Sequence, residues 1–346
     1  MYQRKSRQYC AAMLIVSVCL RLCMFLGLDD RLGQLVMDAL HDPKTVEFLL
    51  FLETGQRVSA QPPEQEVLTV QVLPPQPTPV PTEVVYTPAV QTASAQELEV
   101  VGACSYSYDK NALLQRPTAM ELSDFGAVLI IHSHTTESYE MTDGLTYEPT
   151  SPYRTLDESR NVIAVGEVLA QTLREHGVEV IHDRTVCDYP NYNVSYWNSL
   201  QRIEQWKQQH PNIRMVMDIH RDAVEDDRGQ AVALLSDQQG VSAAQLMLVV
   251  GTNEGGLEHP DWEENLANAL KLQSVLEGEY PGLCRKLDLR TERFNQHTAP
   301  GAILVEVGTN GNTLTQAKAS AKLLADAVAK LLTLLQQNNG TLPDGT

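Results

Sequence analysis

Three short apolar runs in this chain end on side chains that can hold a metal ion or move a proton. Residues 128–131 stop at His132 and His134, with Glu137 three positions after the second. Residues 213–219 deliver His220, and residues 302–305 deliver Glu306. Such β-branched runs read as buried strands, and sites in open α/β sheets gather where strands end. Two imidazoles and one carboxylate form a common catalytic zinc set that leaves a fourth position for water. A second carboxylate nearby then serves as general base. The candidate zinc ligands are therefore His134, Glu137 and His220, and the candidate base is Glu306. His132 competes with His134, since the two point the same way if the strand continues through Ser133. His134 is preferred because it closes a small chelate with Glu137. Asp218 lies two residues before His220 on the same strand face and is read as orienting that imidazole. Arg221 is assigned a catalytic role, neutralising a developing oxyanion or holding a substrate carboxylate.

The elements that must position these groups alternate. After the strand at 127–131 come a helix over 161–176, closed by Gly177, and a strand over 178–181. A helix over 195–209 precedes the strand that ends at His220. Strands are expected at 232–235, 246–250 and 303–307, and helices at 261–278 and 314–336. This order predicts an α/β domain over residues 120–336, with a mostly parallel central sheet flanked by helices. Residues 337–346 read as a loose polar tail. Residues 189–196 crowd aromatic and amide groups into a loop, whose Tyr192 and Asn193 are candidates for contacting a peptide or sugar; Asn193 or Ser195 is expected to cap the next helix. His182 and His297 lack partners at a diagnostic spacing and read as surface residues.

Size and charge narrow the function. The chain has 346 residues, a hydrophobic fraction of 43% and a net charge of −18. That balance argues against a nucleic-acid protein, which needs a basic patch. Arg4, Lys5 and Arg7 precede an apolar run over residues 10–28, broken by Ser17 and Arg21, in the layout of a signal anchor or secretory signal. Residues 1–28 are read as a cytoplasmic tip and retained membrane anchor, which places the rest outside the cytoplasm. Residues 29–57 read as a short helical region. Residues 58–103 are rich in Pro, Gln, Thr and Val and read as a semi-rigid spacer or a proline-rich ligand for a partner. Of six cysteines, three lie in or beside the apolar run. Cys104, Cys187 and Cys284 are an odd number outside it, and no Cys-x-x-Cys zinc spacing occurs.

The ordered stretches IIHSHTTESY, DRTVCDYPNYNVSY, MDIHRDA, VVGTN, EYPGL, FNQ and LVEVGTNGNTLTQA closely resemble the stage II sporulation protein P family, over about residues 120–335. The resemblance implies an autolysin of endospore-forming bacteria: a zinc-dependent N-acetylmuramoyl-L-alanine amidase with additional endopeptidase activity. It implies peptidoglycan as substrate, action at the engulfing septal membrane, and a lytic transglycosylase and a membrane scaffold protein as partners. It also implies the fold of zinc cell-wall amidases, in which the carboxylate ligand comes from near the start of the first helix. That makes Asp157 or Glu158 a rival to Glu137, and puts Arg160 and Asn161 beside Tyr192 and Asn193 as substrate contacts. Two alternatives stand beside this reading: a zinc carboxypeptidase-like peptidase, and a wall-binding scaffold without catalysis.

Overall fold

The computed structural model describes residues 90–122 and 126–343. The expected anchor, the short helical region and most of the proline-rich stretch lie outside the described residues. Among the described residues no helix is long and apolar enough to cross a membrane.

The strands that carry the candidate groups are almost wholly buried, with only Glu306 and Asp222 partly exposed, as a sheet covered on both faces requires. Strand β1 is Val100–Gly102, β2 Val128–Ile131, β3 Val180–His182 and β4 Met215–Asp222. Strands β5 (Leu235–Gln238) and β6 (Val241–Ala244) form a separate antiparallel hairpin. Strand β7 is Leu246–Gly251, β8 Leu287–Arg290 and β9 Gly301–Thr309. The seven-stranded sheet runs β1-β8-β7-β9-β4-β2-β3, and every pairing is parallel except β7 with β9. Two parallel blocks therefore meet at one antiparallel seam.

Five α-helices among the described residues accompany it: α1 (Lys110–Gln115), α2 (Val162–Glu175), α3 (Ser195–Gln209), α4 (Trp262–Glu279) and α5 (Leu314–Gln337). Alternation along β2 sorts them. Val128 and Ile130 join the apolar cluster that contains Leu169 of α2, Leu270 of α4 and Leu324 of α5. Leu129 and Ile131 face the other way, onto Ile203 of α3. Helix α5 starts at a reciprocal box, in which Thr313 accepts from Gln316 N at 3.2 Å and Gln316 accepts from Thr313 N at 3.0 Å. Such a box satisfies two donors that a helix start otherwise leaves open.

Several expectations need correcting. Residues 90–103 are not linker: Ala93, Ala95 and Leu98 are buried, Ala93 N donates to Ser274 O at 2.9 Å, and β1 adds an edge strand. Their approach to α4 requires Gly278, where a Cβ would lie 2.3 Å from Gln91 O. Composition misled because short apolar residues among polar ones suffice for packing against a helix already built. The strand expected at 232–235 is displaced: residues 232–234 are not in a strand, and β5 of the hairpin begins only at Leu235. Helix α3 follows Val194 without a side-chain cap, and Asn191 instead accepts from Asn193 N at 3.1 Å in the turn before it.

Candidate active site

Register brings two of the candidate groups together before any side chain is considered. Across the parallel pair β4–β9, His220 lies directly opposite Glu306. Ile131, the last residue of β2, lies opposite Asp218. Beyond Ile131 the chain turns, and Glu137 N closes the turn on His134 O at 3.1 Å. Isolated bridges from Glu137 to Arg154 and from Ser138 to Asn161 then hold this segment over the ends of β2 and β4.

The result is a cleft of about 610 Å³ lined by His134, Glu137, Arg154, Tyr196, His220 and Glu306, among others. His220 sits between two carboxylates. Its Nδ1 lies 3.5 Å from Glu137 Oε2, and its Nε2 lies 2.8 Å from Asp218 Oδ1, but off hydrogen-bond geometry. Asp218 is fixed by Ser133, whose N and Oγ donate to it at 2.8 and 2.5 Å. Glu137 accepts from Arg221 N at 3.1 Å and from Arg154 Nη2 at 3.3 Å. Arg154 also donates to Asp188 at 2.7 Å and lies 4.8 Å over the Tyr192 ring. The Tyr192 hydroxyl is 3.0 Å from His134 Nε2, and the two rings stack at 4.4 Å.

The charges follow from burial and neighbours. Burial holds the His134 imidazole down to about 4, with His220 adding to the effect, so it is neutral near pH 7. Burial also disfavours charge on His220, but Asp218 and Glu137 more than reverse this and raise it well above the usual value. For Glu137, burial is outweighed by the bond to His220 and the Arg221 charge, which hold it low. For Glu306, burial and the charge on Glu137 win, and its carboxyl is pushed up. Two carboxyls with opposite shifts in one cleft form the pattern expected of an acid–base site.

Three polar atoms here are buried without a hydrogen-bond partner: His134 Nδ1, His220 Nε2 and Glu306 Oε2. Such atoms are normally satisfied, so each calls for an explanation. Among the described residues no three histidine, cysteine or carboxylate side chains already surround one metal position. The fit to an ion lies in donor chemistry: one neutral imidazole with a free nitrogen, an ionised carboxylate, and beside them His220, which would give up its proton to join the set.

The other expected residues fall in different places. Asp157 is exposed and accepts from Ser159 N at 2.9 Å, while Glu158 pairs with Arg184 at 2.5 Å. Arg221 is spent elsewhere than expected: its guanidinium donates to the carbonyls of Ser138, Tyr153 and Asp222, at 2.9 to 3.2 Å. It is a clamp on the loops, and its main-chain N–H serves Glu137. Asn161 is buried as the cap of α2, accepting from Ile163 N at 3.0 Å, so its amide is not offered to a ligand. Arg160 reaches the carbonyls of Thr146, Ser159 and Gly144, which ties down residues 144–160. Asn193 is exposed and does not line the cleft. His182 is not a free surface residue, because its Nε2 is 2.9 Å from His132 Nε2. Arg154, Tyr196 and Phe294 were missed. Arg154 comes from a loop and carries no local sequence signal, whereas Phe294 opens the FNQ stretch and Tyr196 closes the aromatic stretch, both already singled out.

An α/β protein with a two-histidine, two-carboxylate cleft at strand ends is thus the class defined by geometry. A family profile described as stage II sporulation protein P matches residues 86–329, and the chain belongs to that family. The stage II sporulation protein P of Bacillus subtilis (strain 168) is 26% identical over 226 residues, which are 62% of this chain and 53% of the relative. The chain thus matches about half the length of that curated relative. Among solved structures, the N-acetylmuramoyl-L-alanine amidase AmiC2 of Nostoc punctiforme aligns with 62% of this chain and 99% of its own, at 13% identity and TM-score 0.33. The CwlD amidase of Clostridioides difficile, in complex with the GerS lipoprotein, aligns with 61% and 98%, at 12% identity and TM-score 0.37. At those scores the likeness carries no functional argument.

Proposed function

We propose that the cleft is the zinc-dependent hydrolytic site of a sporulation peptidoglycan hydrolase, cutting the amide between N-acetylmuramic acid and L-alanine. Cleavage within stem-peptide cross-links is a second activity at the same site. The observation that carries the reading is the free His134 Nδ1 beside the unpartnered Glu306 Oε2, with His220 held between Asp218 and Glu137. An amide is a poor electrophile with a poor leaving group. A bound zinc ion supplies a water whose pKa is lowered to about 7 and polarises the carbonyl.

This chain's residues do the rest. His134, His220 and Glu137 would hold the ion, with Glu137 kept ionised by Arg221 N and Arg154. Asp218, held by Ser133, orients the His220 ring. Glu306 Oε2 takes a proton from the attacking water and passes it to the departing amine. Its raised pKa suits that double duty, since a carboxyl near the working pH both accepts and returns a proton. A membrane anchor in residues 1–28 places this site outside the cytoplasm at the engulfing septum, alongside a lytic transglycosylase and a membrane scaffold protein.

The test is the full chain incubated with isolated peptidoglycan, with and without a chelator, the products read by mass. Intact stem peptides freed from sugar strands, lost with chelator and restored by zinc, are the expected result. Release of single terminal amino acids marks the carboxypeptidase alternative, and binding to the wall without soluble product marks the scaffold.

A further inference from the structure

A second cavity, of about 590 Å³, lies between the start of α4 and the loop joining β8 to β9. It is separate from the catalytic cleft, although one loop serves both. Phe294 lines the cleft and packs 5.7 Å from Tyr196, whereas its neighbour Arg293 and His297 line the second cavity.

The cavity is lined by a side chain that nothing among the described residues satisfies. His259 is 1% exposed, and neither of its ring nitrogens has a hydrogen-bond partner. One nitrogen of a neutral imidazole is always a donor and the other an acceptor, so two groups are left open. Arg293 Nε is likewise buried and unpartnered, while its Nη1 donates to Glu258 O at 3.0 Å. The exposed His297 ring faces His259 edge-on at 6.5 Å. Burial holds the His259 ring down to about 4, with His297 and Arg293 adding to the effect, so it acts as a neutral donor and acceptor.

Charges around the wall sort into spent and free. Arg116 and Glu263 neutralise each other at 2.8 Å. Glu264 accepts from Ala119 N at 2.6 Å, whereas Asp261 and Glu258 are exposed on the wall, with no hydrogen bond or ion pair to either carboxylate among the described residues. Open donors at His259 and Arg293 thus stand with open carboxylates at Glu258 and Asp261. A simple anion would meet those carboxylates, and a metal dication would meet the Arg293 guanidinium beside both imidazoles. A ligand with one charge of each sign meets neither penalty.

We propose that this cavity binds a small zwitterion of the amino-acid or dipeptide class, its carboxylate toward His259 and Arg293 and its ammonium toward Glu258 and Asp261. The volume lies within the range of small-molecule sites. The proposal does not depend on what the catalytic cleft does.

The experiment is calorimetric titration of the full chain, with its histidine side chains also followed by nitrogen-15 resonance. The probes are D-alanyl-D-alanine, its N-acetyl form and its carboxyl-terminal amide. Saturable binding of the free dipeptide is expected, with His259 and His297 signals moving and each blocked form weaker by about tenfold, or 1.4 kcal/mol. Asp261→Asn and His297→Ala alter exposed positions, and each is expected to weaken binding several-fold without changing the melting temperature. No saturable binding by any probe would overturn the proposal and leave the cavity to water. So would equal binding of the blocked forms, unchanged binding in both variants, or movement of His134 and His220 signals alone.

Discussion

His132 and His134 stand two residues apart at the end of one strand, and the protein treats them differently. His132 Nδ1 is 2.9 Å from Ile219 O, and its Nε2 is 2.9 Å from His182 Nε2. Its ring lies against α2 at Gly166, where a Cβ would stand 2.7 Å from it. His134 faces the cleft and commits only Nε2, to Tyr192. Burial depresses both, to about 3 and about 4, so neutrality does not separate them. What separates them is the lone pair left free. A buried imidazole with both nitrogens bonded is part of the scaffold, whereas one with a nitrogen to spare is equipped to take a ligand. The same rule sets Glu306, whose Oε2 has no partner, apart from Asp218, whose oxygens are held by Ser133.

The largest effect should come from the free side of that comparison. His220→Asn removes one imidazole of the ligand set, so zinc affinity should fall by more than the 10–100-fold typical of an outer-shell change. Hydrolysis should go with it. Equilibrium dialysis against zinc checks this, and stoichiometric metal on the variant would remove His220 from the set. Glu306→Gln should keep the metal and lose about 10²–10⁴-fold in turnover, the usual worth of a positioned acid–base group. Unchanged turnover would end its assignment as base.

The committed side should respond in stability instead. His132→Leu leaves Ile219 O and His182 Nε2 without their partner, and an abandoned buried polar group costs about 1–3 kcal/mol. Denaturant unfolding should show that loss, with zinc affinity kept. If zinc binding disappears while the fold stays, His132 and not His134 is the ligand.

Why the sequence left these two histidines in competition has a physical answer. Alternation places both on one face only if the strand continues, and β2 ends at Ile131. The turn that follows is held by Asp188, which accepts from Thr136 N and Oγ1 at 3.1 and 2.7 Å across a wide gap in sequence. Local patterns do carry the strands that contain His220 and Glu306, which run on to Asp222 and Thr309, and the helices α2 to α5, because periodic burial is written in consecutive residues. Partners brought from far away are not written there. Arg154 reaches Glu137 from a loop, β1 pairs with β8 from the other end of the domain, and β7 runs against β9. Arg221 and Asn161 were misread for the opposite reason: their residue types suit a ligand, but carbonyls of the neighbouring loops and the start of α2 had prior use for them.

The smallest expected effect tests the one bond His134 does make. Tyr192 is half exposed, yet its hydroxyl holds Nε2 at 3.0 Å while Arg154 covers the ring. If the hydroxyl oxygen accepts from Nε2–H, the imidazole is fixed in the tautomer that leaves Nδ1 free for a metal. Tyr192→Phe keeps the stacking and removes only the oxygen. Zinc affinity should then weaken by about tenfold at most, the low end for a partner that orients a ligand. Direct titration with zinc reads this without any turnover. A gain in affinity would reverse the picture, because it would mean that Nε2 is the ligating atom and that the hydroxyl competes with the metal for it.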